Sequence, residues 1–203
     1  LSIEKDTGEK IGNIVVMGTG EPLDNYENLS RFIEIIHEKA GLNIGMRSIT
    51  VSTCGLIPKM KDIAGDFPQI NLAVSLHAPN DAVRNRLMPV GRKYSMDELL
   101  RACGEHVART GRRITFEYAL IKGQNDGDGH AAELADKLRG MNCHVNLIPL
   151  NRVVETGLNG PERADSERFR NILEKRGIQV TVRRELGGDI DAACGQLRLN
   201  DGV

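Results

Sequence analysis

Apolar positions along the chain recur with two different periods. Short alternating or β-branched runs stand at Asn13-Ile-Val-Val-Met17, Ser48-Ile-Thr-Val-Ser52, Ile70-Asn-Leu-Ala-Val-Ser-Leu76, Ile114-Thr-Phe-Glu-Tyr118, Val145-Asn-Leu-Ile148 and Gln179-Val-Thr-Val-Arg183. Their length and composition predict strands buried on both faces or nearly so. Between them the spacing lengthens to that of a helix. Leu29, Phe32, Ile33 and Ile36 share one helical face, with Gly41 as a natural stop. Ser95-Met-Asp-Glu98 has the form of a capping box ahead of an apolar face made by Leu99, Leu100, Cys103 and Val107. Leu134, Ala135, Leu138 and Met141 form another stripe. Phe169, Ile172 and Leu173 form the last, behind an Asp165 or Ser166 cap and ahead of Gly177. Strand alternating with helix predicts an α/β fold with a parallel sheet and right-handed crossovers. Periodicity does not choose between an open doubly wound sheet and part of a barrel.

Composition narrows the picture only a little. A chain of 203 residues can bury a sizeable core and is expected to form a single domain over 1–203. The net charge of −1 does not advertise a nucleic-acid partner, although local patches remain open. There is no apolar run of membrane-spanning length, no secretory pattern and no low-complexity tract, so a cytoplasmic chain without a membrane partner is expected. The four cysteines, at 54, 103, 143 and 194, show no C-x-x-C spacing, which argues against a zinc or redox pair and for reduced thiols. The chain begins at Leu1 rather than Met, which reads as a piece of a longer protein.

In a parallel α/β sheet, ligands bind beyond the C-terminal ends of the strands. The residues at those ends are small or polar here: Gly18-Thr-Gly-Glu-Pro22, Ser52-Thr-Cys-Gly55, Ser75-Leu-His-Ala-Pro79, Lys122-Gly-Gln-Asn-Asp126 and Pro149-Leu-Asn151. Each has a plainer use when taken alone. Gly18 and Gly20 suit a tight turn. The run lacks G-x-G-x-x-G, and Glu21-Pro22 stands where a pyrophosphate would need the start of a helix, which argues against a dinucleotide. His77 suits a structural histidine, Asn151 a turn cap, and Ser52 and Ser75 backbone hydrogen bonds. Cys54, Cys103 and Cys143 read as small packing residues. Gathered at one edge, the polar set points to a polar ligand. Cys194 differs from the other cysteines: Ala192, Ala193 and Gly195 surround it with small residues that leave a sulfur reachable.

Four segments, in this order, carry a resemblance that spans nearly the whole chain. They are Val16-Met-Gly-Thr-Gly-Glu-Pro-Leu-Asp-Asn-Tyr26, Val74-Ser-Leu-His-Ala-Pro-Asn-Asp81, Asn146-Leu-Ile-Pro-Leu-Asn151 and Asp189-Ile-Asp-Ala-Ala-Cys-Gly-Gln-Leu197. They resemble the bacterial radical S-adenosylmethionine (SAM) enzymes that methylate carbon-2 of an adenine in 23S ribosomal RNA and in certain transfer RNAs. The resemblance implies a partial (β/α) barrel of the radical SAM type, SAM, a [4Fe–4S] cluster, an electron donor for that cluster, RNA as substrate and a monomeric enzyme. The family's cluster ligands form a C-x-x-x-C-x-x-C triplet upstream of Gly-Glu-Pro, and this chain has no such triplet. It therefore reads as the C-terminal part of the enzyme, incomplete at the N-terminal side of the barrel. The N-terminal accessory domain and the cluster loop are absent, so the chain carries no metal ligands and no turnover by itself.

By the same resemblance Gly20 and Glu21 contact the amino end of SAM. Ser52, Ser75, Leu76 and His77 lie by its ribose, and Asn151 lies near the adenosine. Cys194 matches the residue that carries the methyl group. In that family one SAM methylates the cysteine by polar displacement, which requires a thiolate. A second SAM yields the 5′-deoxyadenosyl radical that activates the methyl group. Arg84, Arg86, Arg92, Lys93, Arg183 and Arg184 are candidates for phosphate contacts, against the reading that they are solvated loop charges. Aromatic residues are too few to suggest a stacking platform. Two alternatives stand beside this reading: the sister enzymes that methylate adenine carbon-8, and a cluster-less RNA-binding or regulatory module. Anaerobic reconstitution of this chain with iron and sulfide is expected to give no stoichiometric [4Fe–4S] cluster. A well-formed cluster spectrum would mean that its four cysteines converge, and the truncated reading would fail.

Overall fold

Strands form at all six of the predicted runs in a computed structural model that describes residues 2–17, 20–151 and 157–183. They are β1 (Ile14–Val16), β2 (Ile49–Thr53), β3 (Asn71–Ser75), β4 (Ile114–Leu120), β5 (Cys143–Pro149) and β6 (Gln179–Val182). The helices are α1 (Ser2–Thr7), α2 (Tyr26–His37), α3 (Ile57–Asp66), α4 (Asp81–Leu87), α5 (Met96–Thr110), α6 (Asp128–Leu138) and α7 (Arg163–Lys175). The sheet has the order β1-β2-β3-β4-β5-β6, and β1–β2, β2–β3 and β5–β6 pair in parallel. Strand order equal to chain order lacks the reversal of a doubly wound sheet. It is the order of a barrel wall, in which each crossover steps to the next position in the same sense.

The chain divides into two compact units, Leu1–Ser75 with Lys93–Thr115, and Leu76–Arg92 with Phe116–Val203; the division falls inside β4. In the first unit α3 packs against α5, with Met60 and Ile63 of the one and Leu99 and Cys103 of the other buried. In the second, α6 packs against α7, and the Tyr118 and Phe169 rings meet with centroids 5.3 Å apart. Burying an apolar side chain of this size contributes about 1.5–3 kcal/mol, so the alternating apolar positions are enough to set which face of each strand turns inward. Burial is nevertheless graded along the sheet. Only β2, β3 and β4 are mostly buried, whereas Val15 of β1 is 57% exposed and β6 alternates exposed with half-buried residues.

The helix ends follow local hydrogen-bond chemistry. Ser95 Oγ accepts from the Glu98 N–H, and the Glu98 carboxylate accepts from the Ser95 N–H at 2.9 Å, completing the capping box of α5. The Ser95 hydroxyl, donating to the same carboxylate at 2.7 Å, and then the Ser95 N–H hold the Glu98 carboxyl below its ordinary range. Gly111 then closes α5 in a left-handed conformation. Two helices depart from the expected bounds. α6 stops at Leu138, and Met141 lies in the turn beyond it, its N–H donating to the Leu138 carbonyl. α7 starts at Arg163, ahead of the expected cap, because Glu162 takes the extended cap conformation and the buried Ser166 hydroxyl donates to the Glu162 carbonyl. α1, α3 and α4 were not legible as helices. They are short, and in α3 the Pro58 and Gly65 positions interrupt the pattern made by Met60, Ile63 and Ala64.

His106 on α5 is 3% exposed, and neither ring nitrogen has a hydrogen-bond partner among the described residues. Burial pushes its pKa down. The folded protein therefore keeps the ring neutral where the unfolded chain, with an ordinary value of about 6.5, takes up a proton. Stability is complete above that pH and is lost as pH falls below it, because the unfolded state then binds more protons. His77, lowered to about 4, adds to the same slope. His106→Leu is expected to gain stability relative to the parent as pH falls from 7 to 5, with the His77 share of the slope remaining. Thermal unfolding across that range checks it; a slope identical to that of the parent would remove His106 from the account.

Candidate functional site

The strand ends of the first unit are tied together by one carboxylate. β1 runs out into Gly20, whose φ of +100° suits glycine, and then into Glu21. Glu21 caps the short 3-10 turn Pro22–Asn25: its Oε1 accepts from the Leu23 N–H at 3.0 Å. Its Oε2 accepts from the Cys54 N–H at 2.6 Å, just beyond β2. The expected ligand carboxylate is thus a structural bridge in its own right, with each oxygen holding one backbone N–H. A carboxylate has about four lone-pair sites, so each oxygen keeps acceptor capacity. Gly20 and Glu21 also line an open hollow of about 570 Å³ together with Val16, Met17 and Phe32. Ser52 and Ser75 do not line it. The register Ser52↔Ala73 and the two-residue period of a strand put Ser52, Ala73 and Ser75 on one face of the sheet, the face that also carries Thr50 and the exposed Val15.

In the second unit the expected pair Leu76–His77 folds back on β4. Both N–H groups donate to the Glu117 carbonyl, at 3.0 and 3.3 Å. The Leu76 side chain is buried, and the His77 ring is half-buried, its Nδ1 accepting from the Ala119 N–H at 3.0 Å. Burial, and then the Arg84 guanidinium, push the His77 pKa down to about 4. Asn151 lies two residues past β5 and is half-buried; the preceding Leu150 N–H donates to the Leu120 carbonyl. Cys194, its small neighbours and Arg184 lie outside the described residues, as do Gly18 and Thr19.

Arg84 departs from its expected place in a solvated loop. It is 0% exposed on α4, so it faces protein rather than a phosphate; Arg86, Arg92, Lys93 and Arg183 remain exposed. Three polar residues escape a reading of the sequence. Glu117, 7% exposed on β4, accepts from Asn146 Nδ2 at 2.7 Å, and Asn146 Oδ1 accepts from the Thr181 hydroxyl at 3.2 Å. Burial raises the Glu117 pKa against the opposing pull of Asn146 and Arg183. A signal for Glu117 does exist: a lone carboxylate among β-branched and aromatic residues in Ile114-Thr-Phe-Glu-Tyr118. The third residue, Asn125, has no comparable sign, since asparagine before aspartate reads as a turn.

Comparison with known proteins bears on the family and the fold. Residues 3–135 match the radical SAM superfamily. A probable dual-specificity RNA methyltransferase RlmN of Alkaliphilus oremlandii is 57% identical over 98% of this chain and 58% of its own length. The protein of that name from Desulforamulus reducens is 56% identical over 98% of this chain and 57% of its own length. A radical SAM methyltransferase from Sphaerobacter thermophilus, known as a crystal structure, superposes with a TM-score of 0.93 at 52% identity, over 97% of this chain and 58% of that one. The chain thus spans less than two thirds of the length of these relatives.

The bridge built by Glu21 is open to a direct test. Glu21→Gln keeps the size of the side chain but turns an NH2 toward one of two N–H donors, so one bond is lost. The expected cost is about 1–3 kcal/mol by denaturant unfolding, with faster amide hydrogen exchange at Leu23 or Cys54. Unchanged exchange at both amides would show that the bridge does not protect them in solution.

Proposed function

The chain belongs to the radical SAM superfamily, and on that premise we propose that it is the cofactor-binding and methyl-carrying part of an RNA methyltransferase. Its product is adenine methylated at carbon-2, in 23S ribosomal RNA and in transfer RNA. The observation that carries this reading is the 57% identity, sustained over 98% of the chain, to a relative named as a dual-specificity RNA methyltransferase. The superfamily works with SAM and a [4Fe–4S] cluster, which together supply the radical that activates an otherwise inert methyl group.

The residues at the strand ends suit SAM. Glu21 keeps lone pairs for the cofactor's ammonium group. Ser52 and Ser75 offer hydroxyls from one sheet face to the ribose region. Leu76, whose side chain is buried, contributes through its backbone, and the His77 ring offers a polar nitrogen. Asn151 brings an amide donor and acceptor toward the adenosine, and Gly20 lets the chain pass without a side chain in the way. The described residues do not suit the cluster: among them no group of three His, Cys, Asp or Glu side chains is placed to hold a metal ion, and Cys103 and Cys143 are buried. In our reading the cluster ligands belong to the remainder of the full-length protein. An RNA and a low-potential electron donor are its partners, and it acts as a cytoplasmic monomer. No helix among the described residues is long and apolar enough to cross a membrane.

Cys194 is the methyl carrier in this reading. Its thiol first loses a proton to solvent. The thiolate then displaces the methyl group of SAM: the cofactor's sulfur–methyl bond breaks, the Cys194 sulfur–methyl bond forms, and S-adenosylhomocysteine leaves. In the full-length enzyme, Cys194→Ala is expected to abolish transfer of labelled methyl to RNA while leaving SAM affinity within about twofold, because the substitution removes one sulfur from an already small-residue segment. Nucleoside analysis of the parent enzyme's product decides among the readings. 2-Methyladenosine supports methylation at carbon-2, 8-methyladenosine moves the enzyme to the sister class, and RNA binding without methylation leaves a binding module.

A further inference from the structure

His77 holds an unusual backbone conformation. Its φ is +57°, in the left-handed region, where the Cβ of an L residue crowds the following carbonyl. Such a conformation persists only where the surroundings over-determine it, and here one side chain does most of that. Asn125 is 0% exposed and uses every polar atom of its side chain. Its Nδ2 donates to the His77 carbonyl at 2.8 Å and to the Ala119 carbonyl at 2.6 Å, and its Oδ1 accepts from the Ile121 N–H at 2.7 Å. Its own carbonyl accepts from the Tyr118 hydroxyl at 2.8 Å. Asn125 therefore clamps the turn after β3 to the end of β4.

This clamp bears on the tautomer of the imidazole. The Ala119 N–H can only donate, so His77 Nδ1 must be unprotonated. The neutral ring then carries its proton on Nε2. Arg84 of α4 is the charge that acts on this ring, and Glu117 lies on the same face of β4 as Ala119, two residues away. We propose that Asn125 is a positioning residue for the cofactor site: by holding His77 in its left-handed turn it fixes the ring so that Nε2–H is presented as a hydrogen-bond donor to an oxygen acceptor of SAM. Aspartate has no donors and would set a carboxylate against two carbonyls. Glutamine is one methylene too long for the same three bonds. The inference rests on the assignment of His77 to the SAM site.

Full-length, cluster-reconstituted enzyme is titrated anaerobically with S-adenosylhomocysteine, in the parent and in Asn125→Ala, His77→Gly and the double variant. Ring-nitrogen NMR of the parent, with the His77 signals identified from His77→Gly, reads the tautomer. The expected results are a single Nε2–H tautomer and a parent affinity that holds steady from pH 8 to about pH 5.5. Asn125→Ala is expected to bind about five- to tenfold more weakly, the scale of one hydrogen bond. That loss should grow on acidification as the freed imidazole titrates nearer its ordinary value, and it should vanish in the His77→Gly background. A loss of equal size in both backgrounds, no loss at all, or an Nδ1–H tautomer in the parent would overturn the proposal. Should Asn125→Ala fail to fold, the milder Asn125→Ser takes its place in the cycle, and the tautomer of the parent still decides. A parent that binds no S-adenosylhomocysteine overturns the SAM reading itself, separately from the clamp.

Discussion

At the C-terminal end of every strand in a parallel sheet the hydrogen-bond ladder runs out, and the backbone groups beyond it need other partners. Leaving one such group buried and unpaired costs about 1–3 kcal/mol, so the chain cannot bend away from the sheet until something receives those groups. Two side chains answer that constraint, one in each unit. Glu21 takes the N–H groups of Leu23 and Cys54, and Asn125 takes the carbonyls of His77 and Ala119 together with the Ile121 N–H. Both are short-range pieces of chemistry that join distant parts of the sequence. With these groups satisfied, the turns hold irregular backbone, such as His77 at φ +57° and Gly20 at φ +100°, at the edge where α/β proteins bind ligands.

The same constraint links stability to function. A site that must receive a polar cofactor needs donors and acceptors that are fixed but not all used up. Glu21 and His77 meet that description differently. Glu21 is committed through both oxygens yet keeps lone pairs, whereas His77 is committed through Nδ1 and keeps Nε2. Glu117 shows the converse arrangement, a buried carboxyl held on the Asn146–Thr181 chain and kept above its ordinary pKa range by burial. Buried polar groups of this kind cost stability when unmatched, and His106, with neither nitrogen bonded, is a residue for which no compensating bond is formed among the described residues.

Residues 3–135 carry the match to the radical SAM superfamily. No described cluster of side chains is suited to a metal. The chain spans about 58% of the length of a relative that it matches.

Much of the fold was written in local pattern. The six strands, α2, the capping box of α5 and the α/β class follow from two- and 3.6-residue periods and from Ser95 and Glu98, because those signals act over a few residues. The strand-end positions Gly20, Glu21, Ser52, Ser75, Leu76, His77 and Asn151 were legible as an edge for the same reason. Tertiary structure alone decided the barrel-type strand order, since nothing in a period says which strand a crossover reaches. It also turned Arg84 inward, against its surface-like sequence context, and exposed Val15 in a run that reads as core. The bridges from Glu21 to Cys54, across 33 positions, and from Asn125 to His77, across 48, could not be read from either end. A hydrogen bond depends on where two groups stand in space, and that separation is set only once the sheet has brought the strands together.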